Sequence, residues 1–120
     1  PWADERFPLT LRHLDRSDAI EVTRWERSTV RKRFQQQAVY WLLQYNRVTY
    51  VGVSADAGRR IYELRYKQEY DWSRAYILPV RYRSRETWVI RAFQPPRNAY
   101  QRDGVLPHEA MIWLRERGFL

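Results

Sequence analysis

The stretch Gln37-Ala-Val-Tyr-Trp-Leu-Leu-Gln-Tyr-Asn-Arg-Val-Thr-Tyr-Val-Gly-Val-Ser54 decides the fold of this chain. Residues 37–45 are an almost unbroken apolar and aromatic run, the signature of a largely buried strand. Asn46-Arg47 is turn chemistry, and residues 48–54 read as a second strand. Two strands this close in sequence pair as an antiparallel hairpin. Side chains alternate between faces along a strand. Tyr40 therefore shares a face with Ala38 and Leu42, and Tyr50 shares one with Val48 and Gly52.

Downstream, Asp56 is placed to cap a helix over about 57–68, with Ala57, Ile61 and Leu64 as its apolar stripe and Arg60 at the border. Residues 74–82 read as a third strand. Pro79 cannot donate to a ladder, so that strand is expected at an edge or ending near the proline. Ser84 opens a helix over about 85–94, on which Glu86, Val89, Ile90 and Phe93 stand at i, i+3, i+4 and i+7. A carboxylate thus heads an apolar face, and Pro95-Pro96 ends the helix. A last helix is expected over about 107–117, stopped by Gly118.

Upstream, residues 1–36 form a charged, basic leader, partly helical, in which Ser17-Asp18 caps a helix running to about Phe34. Its Arg31-Lys32-Arg33 run reads equally well as a solvated helix end or as a phosphate-contacting arm. The expected architecture is α/β in the α+β sense. A central three-stranded antiparallel sheet lies within a core of residues 37–100, flanked by helices, and a C-terminal helix within 101–120 packs on that core.

Composition narrows the chemistry. The 120 residues make one domain with a modest core. There is no cysteine, so disulfides and thiolate metal sites are excluded. His13 and His108 are the only histidines, too few for a structural zinc cage and more in keeping with structural or exposed roles. Any metal is then held mainly by oxygen, which favours Mg²⁺ or Mn²⁺. Lysine and arginine total 22 against 14 acids, a net charge of +8, and all but Lys32 and Lys67 of these cations are arginines. A planar, phosphate-matching excess of this kind points to a nucleic-acid partner. Apolar runs fall short of the ~20 residues of a membrane helix, and Pro1-Trp2-Ala3-Asp4-Glu5 is no signal core. A cytoplasmic, intracellular setting without a membrane partner is the expectation.

Ala38-Val39-Tyr40, Tyr50-Val51-Gly52, Arg60, Glu86 and Asn98 stand in an order and spacing that resembles the GIY-YIG nuclease superfamily. That family places Gly-Ile-Tyr and Tyr-Ile-Gly on the two hairpin strands, an arginine on the next helix, a glutamate on a later one and an asparagine after a proline. Here Arg60 follows Gly52 by eight residues, and Asn98 follows Glu86 by twelve, with Pro95-Pro96 between. The resemblance covers about residues 37–100. It departs at Ala38, where the family has glycine, and at Leu64, where many members carry histidine or tyrosine. Tyr62 and Tyr66 are near Leu64 but point elsewhere on a regular helix.

The resemblance implies a metal-dependent DNA endonuclease, or a nucleic-acid-binding module of the same shape that has lost catalysis. RNA stays open as a substrate, and recognition of a symmetric site would call for a homodimer. Implied as catalytic are Tyr40, Tyr50, Arg60 and Glu86, with Glu86 also the metal ligand. Arg31, Lys32, Arg33, Arg59 and Asn98 are assigned to nucleic-acid contact, although an asparagine after the Glu86 helix also suits a purely structural tie. Trp2, Trp25, Trp72 and Tyr100 fall outside the pattern; they either patch the core or stack on bases of an opened strand.

Overall fold

The computed structural model describes residues 6–120. Trp2 lies outside the described residues, and so does the side chain of Tyr100. In chain order the elements are α1 (Leu11–Arg16), β1 (Ile20–Thr23), α2 (Val30–Arg33), β2 (Ala38–Gln44), β3 (Arg47–Ser54), α3 (Ala57–Leu64), β4 (Arg74–Pro79), α4 (Arg85–Phe93) and α5 (His108–Glu116). Short 3₁₀ turns occupy Arg24–Glu26, Gln68–Tyr70 and Pro96–Gln101. The four strands make one antiparallel sheet in the order β1-β4-β2-β3.

The hairpin of β2 and β3 forms as its sequence requires, one residue out of the expected register at the turn. Tyr45 and Asn46, not Asn46 and Arg47, make the two-residue connection, with φ of +51° and +67°. Positive φ at both central positions is the mark of the turn whose twist suits paired strands. β2 is buried on both faces. Ala38, Tyr40 and Leu42 face Val30 and Phe34 of the α2 segment and Ile61 and Leu64 of α3. Val39, Trp41 and Leu43 face Leu14 of α1, Val89, Ile90 and Phe93 of α4, and Leu114 of α5. The sheet is therefore a middle layer between two layers of helix, which is why the β2 sequence shows no polar alternation.

Two expectations are corrected. The sheet has four strands, not three, because the leader supplies one. The helix expected from Ser17-Asp18 to Phe34 is absent; Ile20–Thr23 pairs with β4 instead, Val22 opposite Ala75. The β-branched pair Val22-Thr23 resists helix and favours a ladder, and Val22 is fully buried there. β4 consequently runs inside the sheet rather than at its edge, and it ends at Pro79, the other outcome expected of the proline. Pro79 is tolerated because β1 pairing stops at Ile77, so no strand waits on that side for the donor Pro79 lacks. Among the described residues no helix is long and apolar enough to cross a membrane.

Candidate active site

The site is organised around one cross-strand pair, Tyr40 on β2 opposite Gly52 on β3. A Cβ on residue 52 would fall 2.3 Å from the Tyr40 hydroxyl oxygen, so only glycine lets the phenol lie across the neighbouring strand. Tyr40 is 2% exposed, and its hydroxyl is hydrogen-bonded to Arg60 of α3. Tyr50, half-buried on the same face, brings its ring centroid to 6.3 Å from that of Tyr40 and meets Tyr70 edge-on at 4.9 Å. Burial raises the Tyr40 pKa well above that of an ordinary phenol, and the neighbouring Tyr50 adds to the shift. The Arg60 hydrogen bond and charge pull the other way without reversing it.

Glu86 reaches this place from the opposite helical layer. It sits in the first turn of α4, half-buried, and its carboxylate accepts a hydrogen bond from the Val53 backbone N–H. Burial raises its pKa from the usual carboxylate value, while Arg83 and the Val53 N–H oppose the rise. Its charge is felt at Tyr40.

Val53 belongs to the edge strand, whose outer backbone groups have no partner strand. Asn98 supplies the other half of the answer. Its side-chain amide accepts from the Val51 N–H and donates to the Val51 carbonyl, both at 2.9 Å. Glu86 and Asn98 thus take the outward-facing groups on either side of Gly52 and close an edge that would otherwise invite another strand. The spacing from Glu86 to Asn98 has a physical basis: both side chains must reach one strand edge, two residues apart. Asn98 is 3% exposed with its amide consumed, so the nucleic-acid contact expected of it is corrected to the structural tie.

The expected phosphate contacts separate into two groups. Arg31, Lys32 and Arg59 line one open cleft of about 430 Å³ between α2 and α3. In it Arg59 pairs with Glu63 at 3.1 Å, and Arg31 lies over the Tyr62 ring at 5.0 Å. Arg33 points elsewhere, paired with Glu26 and stacked on Phe34. Asp56 caps α3 as expected, accepting from the Arg59 N–H.

Gly58 is a further determinant that the sequence reading passed over. A Cβ there would meet the Val30 carbonyl at 2.4 Å, so glycine is what lets α2 close onto the first turn of α3 and shape the cleft. Tyr70, which props Tyr50, was also missed; it lies in a 3₁₀ turn where no periodicity betrays a buried face. Leu64 is buried in the core, and the partly buried Tyr62 pairs edge-on with the exposed Tyr66.

Among the described residues no cluster of three or more histidine, aspartate or glutamate side chains could hold a metal. Glu86 stands alone as a half-buried carboxylate whose charge is poorly compensated. That environment fits an ion of the magnesium kind, which keeps most of its waters and takes one or two carboxylates together with substrate phosphate. Comparison with models of known protein families, with curated proteins and with solved structures found no match to this chain.

Proposed function

We propose that this chain is a metal-assisted nuclease hydrolysing phosphodiester bonds of DNA, with Tyr40, Tyr50, Arg60 and Glu86 as its catalytic residues. The observation that carries the reading is the Tyr40 hydroxyl. It is bonded to Arg60, pressed against Gly52 across the hairpin, and within the fields of Tyr50 and Glu86. Glu86 would hold the cation, which supplies Lewis-acid polarisation and charge neutralisation at the phosphate. Arg60 grips two non-bridging oxygens with its planar fork. Tyr40, kept neutral by burial, uses its own proton to orient the attacking water rather than to remove a proton from it. Tyr50 is then the residue left to take that proton, which it would do as the phenolate, favoured by the nearby cation and Arg60. Water attacks phosphorus in line, and the sugar oxygen leaves on the far side, taking a proton from solvent. Arg31, Lys32 and Arg59 hold the backbone of the same substrate in their cleft.

The test is nicking of supercoiled plasmid in Mg²⁺ or Mn²⁺. Arg60→Lys keeps the charge but loses the fork and is expected to cut about 10²-fold more slowly, with DNA binding within about threefold of the native chain. Unchanged cutting by that variant would remove Arg60 from the mechanism.

The pH dependence has a definite sign. Glu86 must be ionised to hold a cation, and burial disfavours ionisation. Metal-dependent cutting should therefore rise with pH through a midpoint above the ordinary glutamate value of ~4.3. In metal-free protein the same raised pKa means that Glu86 opposes folding once it ionises: stability falls as pH rises through the folded-state pKa. Glu86→Gln keeps the acceptor for the Val53 N–H and is expected to raise the metal-free Tm at neutral pH. A lower Tm for that variant would contradict the assignment of an uncompensated charge.

A second reading, a binding module without catalysis, is favoured by the buried apolar Leu64 and by the lack of any cluster of three or more metal-ligating side chains among the described residues. It forecasts plasmid binding with no metal-dependent nick in the same assay.

A further inference from the structure

Beyond the catalytic group, the hairpin tip carries two large aromatics that the fold leaves bare. Tyr45 is 95% exposed and sits at φ +51°, a left-handed conformation that bulky residues rarely adopt. Trp25, in the 3₁₀ turn after β1, is 86% exposed. Trp72, another tryptophan outside the expected core pattern, is by contrast buried, with its indole N–H on the Ile61 carbonyl at 3.0 Å.

Tyr45 lines an open cleft of about 380 Å³ together with Arg24, Arg27, Asp71 and Trp72. Arg24 ties Trp25 to this cleft, its guanidinium lying 5.8 Å from the Trp25 ring centroid. Arg27 lies over the Trp72 ring at 5.0 Å and pairs with Asp71 at 3.4 Å, and its buried Nε has no hydrogen-bond partner among the described residues. The cleft is linked to the proposed catalytic group through Tyr70, which precedes Asp71 in the chain and packs on Tyr50.

We propose that Trp25 and Tyr45 are a stacking platform for unpaired nucleotides, with Arg24 and Arg27 meeting the intervening phosphates. The proposal rests on the nuclease reading and adds to it the class of substrate: nucleic acid with an unpaired segment beside the cut. Charge decides the occupant. A second copy of this chain would bring two more arginines to the same patch under a net charge of +8. An unpaired polynucleotide brings anions and flat π-faces together. In duplex the base faces are closed to such rings, so stacking discriminates paired from unpaired strands.

The experiment is anisotropy of labelled oligonucleotides titrated with the full chain in EDTA, with three probes: unpaired DNA, unpaired RNA and blunt duplex DNA. Trp25→Ala and Tyr45→Asn, the second compatible with the turn, are each expected to weaken unpaired-strand binding about tenfold and the pair about a hundredfold, with duplex binding within about twofold. Loss on either unpaired probe supports the platform, and the two arms tell DNA from RNA. Unchanged unpaired binding, an equal loss on duplex, or a dimer in sedimentation that the double variant dissolves would each overturn it. Circular dichroism melting confirms that the variants fold. If the platform effect is seen but native protein with Mg²⁺ or Mn²⁺ cuts neither plasmid nor a duplex carrying an unpaired segment, the nuclease reading fails and the platform stands. If plasmid is nicked and the variants bind normally, the reverse holds.

Discussion

Glu86→Ala is expected to lower Mg²⁺-dependent nicking of plasmid by about 10³-fold, the rate equivalent of the several kcal/mol a divalent cation supplies to phosphate chemistry. DNA binding should survive, because the basic cleft of Arg31, Lys32 and Arg59 belongs to the other helical layer and does not touch Glu86. The argument turns on a lack of substitutes. Among the described residues Glu86 belongs to no cluster of three or more carboxylates or histidines that could hold a metal without it. Alanine also strips the Val53 N–H of its acceptor, so the variant must be shown to be folded. Glu86→Gln is the control, since it keeps that acceptor and loses only the charge. Both variants should fail to cut. If either cuts as well as the native chain, Glu86 does not hold a catalytic cation and the mechanism proposed here is wrong.

Asn98→Ala should be the most destabilising of the substitutions discussed here. It deletes two hydrogen bonds at 2.9 Å and strands the N–H and carbonyl of Val51 in a place where no water enters readily, Asn98 being 3% exposed. Leaving buried polar groups unpaired costs about 1–3 kcal/mol each, so a loss near 3 kcal/mol is expected. For a domain of this size that corresponds to a fall in Tm of roughly 10 °C. Asn98→Asp should not rescue it, because a carboxylate cannot donate to the Val51 carbonyl and would be a buried charge. Thermal melting by circular dichroism reads the effect directly. A Tm within about 2 °C of the native value would mean that the edge of β3 is held by something other than Asn98.

The hairpin, the Asp56 cap, the α4 stripe and the stop at Gly118 were legible because each depends on neighbours in sequence: alternation, a capping oxygen, a 3.6-residue period, a glycine at φ +85°. Tyr40, Tyr50, Arg60 and Glu86 were legible as residues for a different reason, a spacing that resembles a known family. The leader was misread because Ile20, Arg24 and Arg27 mimic a helical spacing. Four residues of strand carry too short a pattern to outweigh it until β4 offers them a ladder. Asn98 was assigned to nucleic acid because exposure cannot be read from a polar residue's name.

What the sequence by itself determined is local: an apolar run too continuous to be half-solvated, a turn between two strands, a helix begun by its Asp56 cap, and a net charge of +8 carried mostly by arginine. Only the tertiary structure decided which groups take the outer edge of β3, why position 52 must lack a side chain, and why Trp72 is buried while Trp25 and Tyr45 stand in solvent. Those outcomes depend on contacts between residues from about a dozen to nearly fifty positions apart. Such contacts leave no period in the chain, because their geometry exists only once strands have paired and helices have closed on the sheet.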